Sequence, residues 1–281
     1  VLVDDTIKAS KKYLISKIYR IFPLYAISSA LALVIRQLYL GRIGFLSRIK
    51  DLINHLPECF LLQSFGLSNF CGYYNGATWY LDAMLLGIFL LYPLLLKHYK
   101  KVSYISFPLS LAIIGSLIQY KGGIAVTNTS TSEWLLLGNF RILADLLMGI
   151  FVYNVYVFLI EYKFGFKIKL AGVICSVLLY MYIFYFAWLG FDPKAGGVMI
   201  LLLSLSRLLS FTFGNFLCRG KLYHLLNSLG EFSFSLYLNH RYWRWYINGV
   251  HREWSSEQKI CFYWAASFIS AFVCQMIYQY S

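Results

Sequence analysis

Charge is what this chain has least of. Acidic and basic side chains make up 13% of its 281 residues, against about a quarter in a soluble domain. It also has no Pro/Gly/Ser-rich linker, no low-complexity tract and no visible internal repeat, so it reads as a single membrane-embedded domain over 1–281. Whole chemistries are missing with them. There is no P-loop, no Gly-x-Ser-x-Gly nucleophile elbow, no His-x4-Asp pair and no cluster of metal ligands, so no metal is expected. The six cysteines form no Cys-x-x-Cys and no zinc spacing. Most sit in apolar runs, where they serve as small packing residues. Only Cys59 and Cys71 share a loop region in which a disulfide can form. No signal peptide precedes the first apolar run, and the sequence opens on Val1. This gives the expectation that the chain is N-terminally incomplete.

What is abundant is apolar surface: 59% hydrophobic residues, 19% aromatic, and a mean hydropathy of +0.62. Such a chain has lipid as its main solvent, and the bilayer is its first partner. Runs of about 20 apolar residues are long enough to cross. Eight are visible, at 21–40, 79–97, 102–119, 141–160, 169–189, 196–213, 229–248 and 260–279. The fold class expected is therefore all-α, a polytopic transmembrane helical bundle. The run 52–67 holds His55, Pro57 and Glu58 and reads as an interfacial or re-entrant helix rather than a ninth span.

The net charge of +13 sits in short loops between these runs. That is a multi-pass membrane pattern, not the basic face of a nucleic-acid binder. Counting Lys and Arg loop by loop, the side holding Lys8 to Arg20, Lys97 to Lys101, Lys163 to Lys169, and Arg219 with Lys221 is about twice as dense in cations as the other. The positive-inside rule then makes the N-terminus cytoplasmic. The opposite side holds the polar stretch 120–135, with Asn128-Thr129-Ser130 as a chance-level glycosylation triplet.

Three segments carry polar groups where lipid disfavours them. In Thr78-Trp79-Tyr80-Leu81-Asp82 a carboxylate stands at the mouth of an apolar helix, which costs roughly 2.5–3.5 kcal/mol on insertion scales unless something compensates it. Trp79 and Asp82 fit either a functional cavity or an interfacial belt. In Lys17-Ile18-Tyr19-Arg20-Ile21-Phe22-Pro23, Lys17 and Arg20 share a helix face, with Lys11 and Lys12 beside them. The cluster fits either a positive-inside anchor or a phosphate site. In Gly230 through His240, the polar side chains Ser233, Tyr237 and His240 share one face, which must meet protein or a wet cavity. Arg141 and Asp145 lie four apart in another span and can pair with each other. Arg207 lies deeper in its span and calls for a partner, with Asp82 and Asp145 candidates by charge.

Taken in order, these segments resemble the acyltransferase-3 family of multi-pass membrane O-acyltransferases. Lys17-x-x-Arg20-Ile-x-Pro23 resembles the family's basic segment ahead of a span. Trp79-Tyr80-Leu81 with Tyr92-Pro93-Leu94 resembles its Trp-Tyr-Leu…Tyr-Pro-Leu helix. Gly230 to His240 resembles its later Leu-Gly-x-x-Ser-Tyr-Ser helix ending in His. Members have about ten spans, so the resemblance implies two further spans ahead of Val1. It also implies that the family's catalytic His, carried on the first span, matches no residue here, and that this sequence alone is inactive. Two positions depart from the pattern. Lys17 stands where the family has Arg, which removes the bidentate fork, and Asp82 stands near a position usually Ser or Glu.

The activity implied is transfer of an acyl group, most often acetyl, from cytosolic acyl-CoA to a hydroxyl of a cell-surface polysaccharide or its lipid-linked precursor, at the plasma (bacterial inner) membrane. Lys17, Arg20, Lys11 and Lys12 would hold the phosphates of acetyl-CoA as co-substrate. Trp79, Asp82, Arg141, Asp145, Ser233, Tyr237 and His240 would line the substrate cavity. The rival readings are a transporter or flippase of lipid-linked glycans, a membrane-bound acyltransferase of the unrelated His/Asn type, and a structural multi-pass subunit.

Overall fold

A computed structural model describes residues 2–40, 44–62, 78–124, 130–132, 135–190, 195–214, 221–251 and 253–280. The described chain is helical almost throughout: α1 (Leu2–Leu40), α2 (Phe45–Cys59), α3 (Trp79–Lys121), α4 (Leu137–Ile160), α5 (Phe166–Leu189), α6 (Gly196–Phe213), α7 (Lys221–Asn239), α8 (Arg241–Val250) and α9 (Ser256–Tyr280). Two very short paired strands, β1 (Ser130–Ser132) and β2 (Leu135–Leu136), precede α4. Helices dominate because lipid offers the backbone no hydrogen-bond partner, so each crossing segment must satisfy its own amides.

Among the described residues six helices are long and apolar enough to cross a membrane: 5–38, 79–121, 137–160, 166–187, 196–213 and 256–279. The polytopic all-α architecture read from the sequence is thus observed. Seven of the eight runs fall on these helices. The runs 79–97 and 102–119 fall on the two helical arms of α3, which meet at a kink at His98, whose φ and ψ of −134° and 41° are non-helical. Each arm of α3 is still long enough to cross, at roughly 28 Å or more for 19 residues. The run 229–248 is not one helix. It breaks at His240 into α7 and α8, and α7, carrying His224, Asn227, Glu231 and Asn239, is not among the six. The helix expected over 52–67 runs over Phe45–Cys59 instead. Residues 63–77, with Cys71, lie outside the described residues, as does Asn128-Thr129 of the acceptor triplet.

α1 begins well before the apolar run that predicted it. Its 39 residues span roughly 58 Å at 1.5 Å per residue, far more than a hydrocarbon core, so the cationic segment continues the membrane helix as helix. Pro23 lies inside it. α5 follows Gly165 and stops at Gly190, whose φ of +74° is the left-handed conformation that ends helices.

The chain divides into two compact units. The first holds 1–10, 83–131 and 136–223. Here α6 packs on α4 and α5. Gly172 of α5 lies against the Phe213 ring, and Gly196 and Gly197 of α6 lie against Ile124, Ile118 and Ile114. Serines supply the hydrogen bonds. Ser176 Oγ donates to the Ser206 carbonyl and Ser206 Oγ to the Ser176 carbonyl, each at 3.0 Å, and Ser110 Oγ donates to the Ala144 carbonyl at 2.8 Å. This is the small-residue packing expected of helices that meet in lipid.

The second unit holds 11–82, 132–135 and 224–281. Its apolar core joins Ala32 and Ile35 of α1 to Tyr242 of α8, with Leu31, Leu33, Trp243 and Tyr246 around them. α8 packs on α9, where Trp243 Nε1 donates to Ser270 Oγ at 3.0 Å.

Candidate functional site

The second unit buries polar groups of a kind the first lacks among its fully buried side chains. At the start of α3, the Thr78 carbonyl accepts the amides of Leu81 and Asp82 at 3.0 and 3.3 Å, which opens the helix. The Thr78 hydroxyl donates to Glu58 Oε1 at 3.0 Å. The Tyr25 hydroxyl donates to the Glu58 backbone carbonyl. Glu58 is 3% exposed, Thr78 and Asp82 1%, Tyr25 0%. Two carboxylates are therefore buried at or beside the N-terminal turn of one helix, where free amides and the helix dipole favour negative charge. Cys59 follows Glu58 on α2, outside the membrane-spanning segments. Burial, and then the charge of Glu58, push its thiol above the ordinary range.

A second centre forms where α7 ends. Asn239 is 0% exposed. Its Oδ1 accepts from Tyr242 Oη at 2.6 Å, Ser28 Oγ at 3.2 Å and Cys274 Sγ at 3.4 Å. Its Nδ2 donates to the Ser235 carbonyl at 2.7 Å. Ser235, also fully buried, donates to the Ala271 carbonyl of α9. One amide thus ties α1, α7, α8 and α9 together. Every polar atom of this side chain is spent on structure, so Asn239 is a positioning residue.

The third feature is a cavity of about 510 Å³ lined by Arg20, Ile21 and Leu24 of α1, by Leu226, Asn227, Gly230, Glu231 and Phe234 of α7, and by Gln275, Tyr278 and Gln279 of α9. Its size is ordinary for a small-molecule site, roughly 300–1,000 Å³. Each helix contributes residues three and four apart, one face apiece. The walls are apolar, and the polar groups are one cation, one carboxylate, three amides and a phenol. Asn227 Nδ2 donates to Glu231 Oε1 at 3.0 Å, which fixes that carboxylate along α7. Gln275 Oε1 is buried and makes no hydrogen bond among the described residues, so turning that amide toward the cavity breaks none of them.

Of the residues singled out in the sequence, Arg20 lines this cavity. Lys17 does not: its Nζ lies 5.0 Å over the Tyr13 ring, as a cation–π contact. Lys11 and Lys12 are exposed. Trp79 and Asp82 are buried at the Glu58–Thr78 centre. The face expected from Ser233, Tyr237 and His240 is not the buried one. Ser233 is exposed and donates to the Gly230 carbonyl, and Tyr237 and His240 are half-buried. His240 Nδ1 lies 2.7 Å from the Tyr237 carbonyl, which places its proton on Nδ1. Ser235 and Asn239, two and one positions away from those chosen, turn inward instead. Arg141 and Asp145 belong to the first unit, both half-buried on α4. Arg207 is exposed, and among the described residues it makes no ion pair.

Glu58 was visible in the sequence by the reasoning that found Asp82, as an acid inside an apolar run, but its neighbours Pro57 and His55 drew attention to the segment's failure as a span. The α9 wall had no signal, since Gln275 and Gln279 are uncharged. Among the described residues no three His, Cys, Asp or Glu side chains gather as a metal site. Comparison of the chain with family models, with curated proteins and with solved structures finds no match.

Proposed function

We propose that this protein is a membrane O-acyltransferase that moves an acyl group, most often acetyl, from cytosolic acyl-CoA to a hydroxyl of a cell-surface polysaccharide or its lipid-linked precursor. It sits in the plasma membrane with the cavity of α1, α7 and α9 toward the cytoplasm. One observation carries the reading. Of the segments that carry the family resemblance, Lys17 to Pro23, Trp79 to Leu81 and Gly230 to His240 belong to the second unit and Tyr92 to Leu94 to the first, and Arg20, Gly230 and Glu231 line one cavity.

In this reading Arg20 is the phosphate contact. Its planar guanidinium offers paired N–H donors matched to phosphate oxygens. The amides of Asn227, Gln275 and Gln279 and the Tyr278 hydroxyl supply neutral hydrogen bonds, and Ile21, Leu24 and Phe234 the apolar surface. Lys11 and Lys12 add a local positive field that draws an anionic donor to the mouth. In the transfer the acceptor hydroxyl oxygen attacks the thioester carbonyl carbon. The C–O ester bond forms as the C–S bond breaks, and the hydroxyl proton ends on the departing thiolate. Donor binding is what this chain's cavity contributes. The base that moves the proton is assigned to no side chain here.

The test is incorporation of radiolabelled acetyl from acetyl-CoA by the intact protein in membrane vesicles. Arg20→Ala is expected to raise KM for the donor about 10- to 100-fold, the loss of a charge-assisted pair. Lys17→Ala, turned toward Tyr13, is expected to change it less than about threefold. Unchanged donor dependence in Arg20→Ala would remove the assignment.

A further inference from the structure

α2 has its polarity inverted. Its polar face meets the protein: Asp51 pairs with Arg36 of α1 at 3.4 Å and accepts from Gln37, while Glu58 accepts from Thr78 and Tyr25. Its apolar face points away from the protein. Phe45 is 76% exposed and Leu46 81%, and Ile49, Leu52 and Ile53 are exposed beside them. At 100° per residue these five side chains form one continuous stripe, and Arg48 and Lys50 fall on its two borders. In water such a helix would turn the other way. At 15 residues it is roughly 22 Å long, too short to cross a hydrocarbon core of about 30 Å. It connects two helices that are long and apolar enough to cross, α1 and α3, so the bilayer is within its reach.

We infer that α2 lies in the membrane interface, with its apolar stripe in the acyl-chain boundary and Arg48 and Lys50 reaching anionic phospholipid headgroups on either side. The occupant is a lipid surface rather than a protein, because the stripe is bordered by cations that snorkel to phosphate depth. Anionic lipid is favoured over zwitterionic lipid because headgroups with net negative charge meet a cation on each border of the stripe, each worth about fivefold in enrichment near a membrane surface. The placement holds whether or not the protein transfers acyl groups. It gives the membrane a handle on the Glu58–Thr78 contact, since the same helix carries both the lipid-facing stripe and Glu58.

The test is photo-crosslinking of the full chain in nanodiscs of equal phosphatidylglycerol and phosphatidylcholine, with benzoyl-phenylalanine at position 46 or 52, and at 54 on the opposite face. Lipid adducts are expected at 46 and 52, enriched in phosphatidylglycerol, and protein adducts at 54. The Arg48→Gln/Lys50→Gln variant, altered only at the borders, is expected to lower that enrichment at least fivefold with adduct yield retained. Protein adducts at 46 and 52, whether to a second copy or to another segment, would overturn the proposal. So would an adduct ratio near one in the unaltered protein, or one that the double variant leaves unchanged.

Discussion

Where 83–131 and 136–223 fold together, helices meet through glycines and serines. Where 11–82 and 224–281 fold together, they meet around an asparagine, two buried acids and a cavity. The first arrangement is inexpensive and forgiving, since a hydrogen bond between membrane helices is worth about 0.6 kcal/mol on average. The second holds Glu58 and Asp82 at 3% and 1% exposure, groups that cost several kcal/mol in an apolar medium unless partners offset them. Packing alone gives no reason to keep them. The contrast locates candidate chemistry in the second unit and leaves the first as the better example of a scaffold.

Substitutions sharpen that contrast. The largest loss is expected from Asn239→Leu, which removes the acceptor of the buried Tyr242 hydroxyl and the donor to the Ser235 carbonyl, while Ser28 Oγ keeps the Leu238 carbonyl. Thermal unfolding in nanodiscs should show a cost of about 3 kcal/mol. A cost under about 1 kcal/mol would mean that the hub is decoration. Thr78→Val removes the donor to Glu58 while keeping the shape, and about 2 kcal/mol is expected in the same assay. In the first unit Gly172→Ala sets a Cβ into the Phe213 ring. Overpacking of that kind costs about 1–2 kcal/mol, and a helix-crosslinking yield between α5 and α6 would register the displacement. Ser176→Ala should be the mildest, at about 0.6 kcal/mol. If it matched Asn239→Leu in unfolding, the two units would not differ in the way described here.

Apolar run length made most of the fold legible, because lipid leaves a 20-residue hydrophobic segment little choice but a helix. The break at His240 was hidden in a run whose aromatic residues count as apolar. There Asn239 and His240 turn side-chain nitrogens onto the Ser235 and Tyr237 carbonyls, a local competition with the helix ladder that composition does not display. The division of α3 was legible: Lys97, Lys100 and Lys101 separate its two apolar runs, and the kink at His98 falls among them. Of the candidate site, Arg20 and Asp82 were legible as charges out of place. Glu231 stands inside the Gly230–His240 segment without a distinguishing signal of its own, and the amides of α9 carry no charge. The inward face of α7 differs by two residues, roughly 200° round the helix, from Ser233 and Tyr237 to Ser235 and Asn239, and packing against α1 and α9 decides it.

Equilibrium binding of CoA to the purified intact protein, compared between Arg20→Ala and Arg207→Ala, tests most directly the assignment of donor binding to the second unit. Both variants remove one arginine, one from the wall of the α1–α7–α9 cavity and one from an exposed position on α6. The expected result is affinity weakened at least tenfold by Arg20→Ala and unchanged by Arg207→Ala. Equal affinities in the two variants, or no binding by the unaltered protein, would contradict the account.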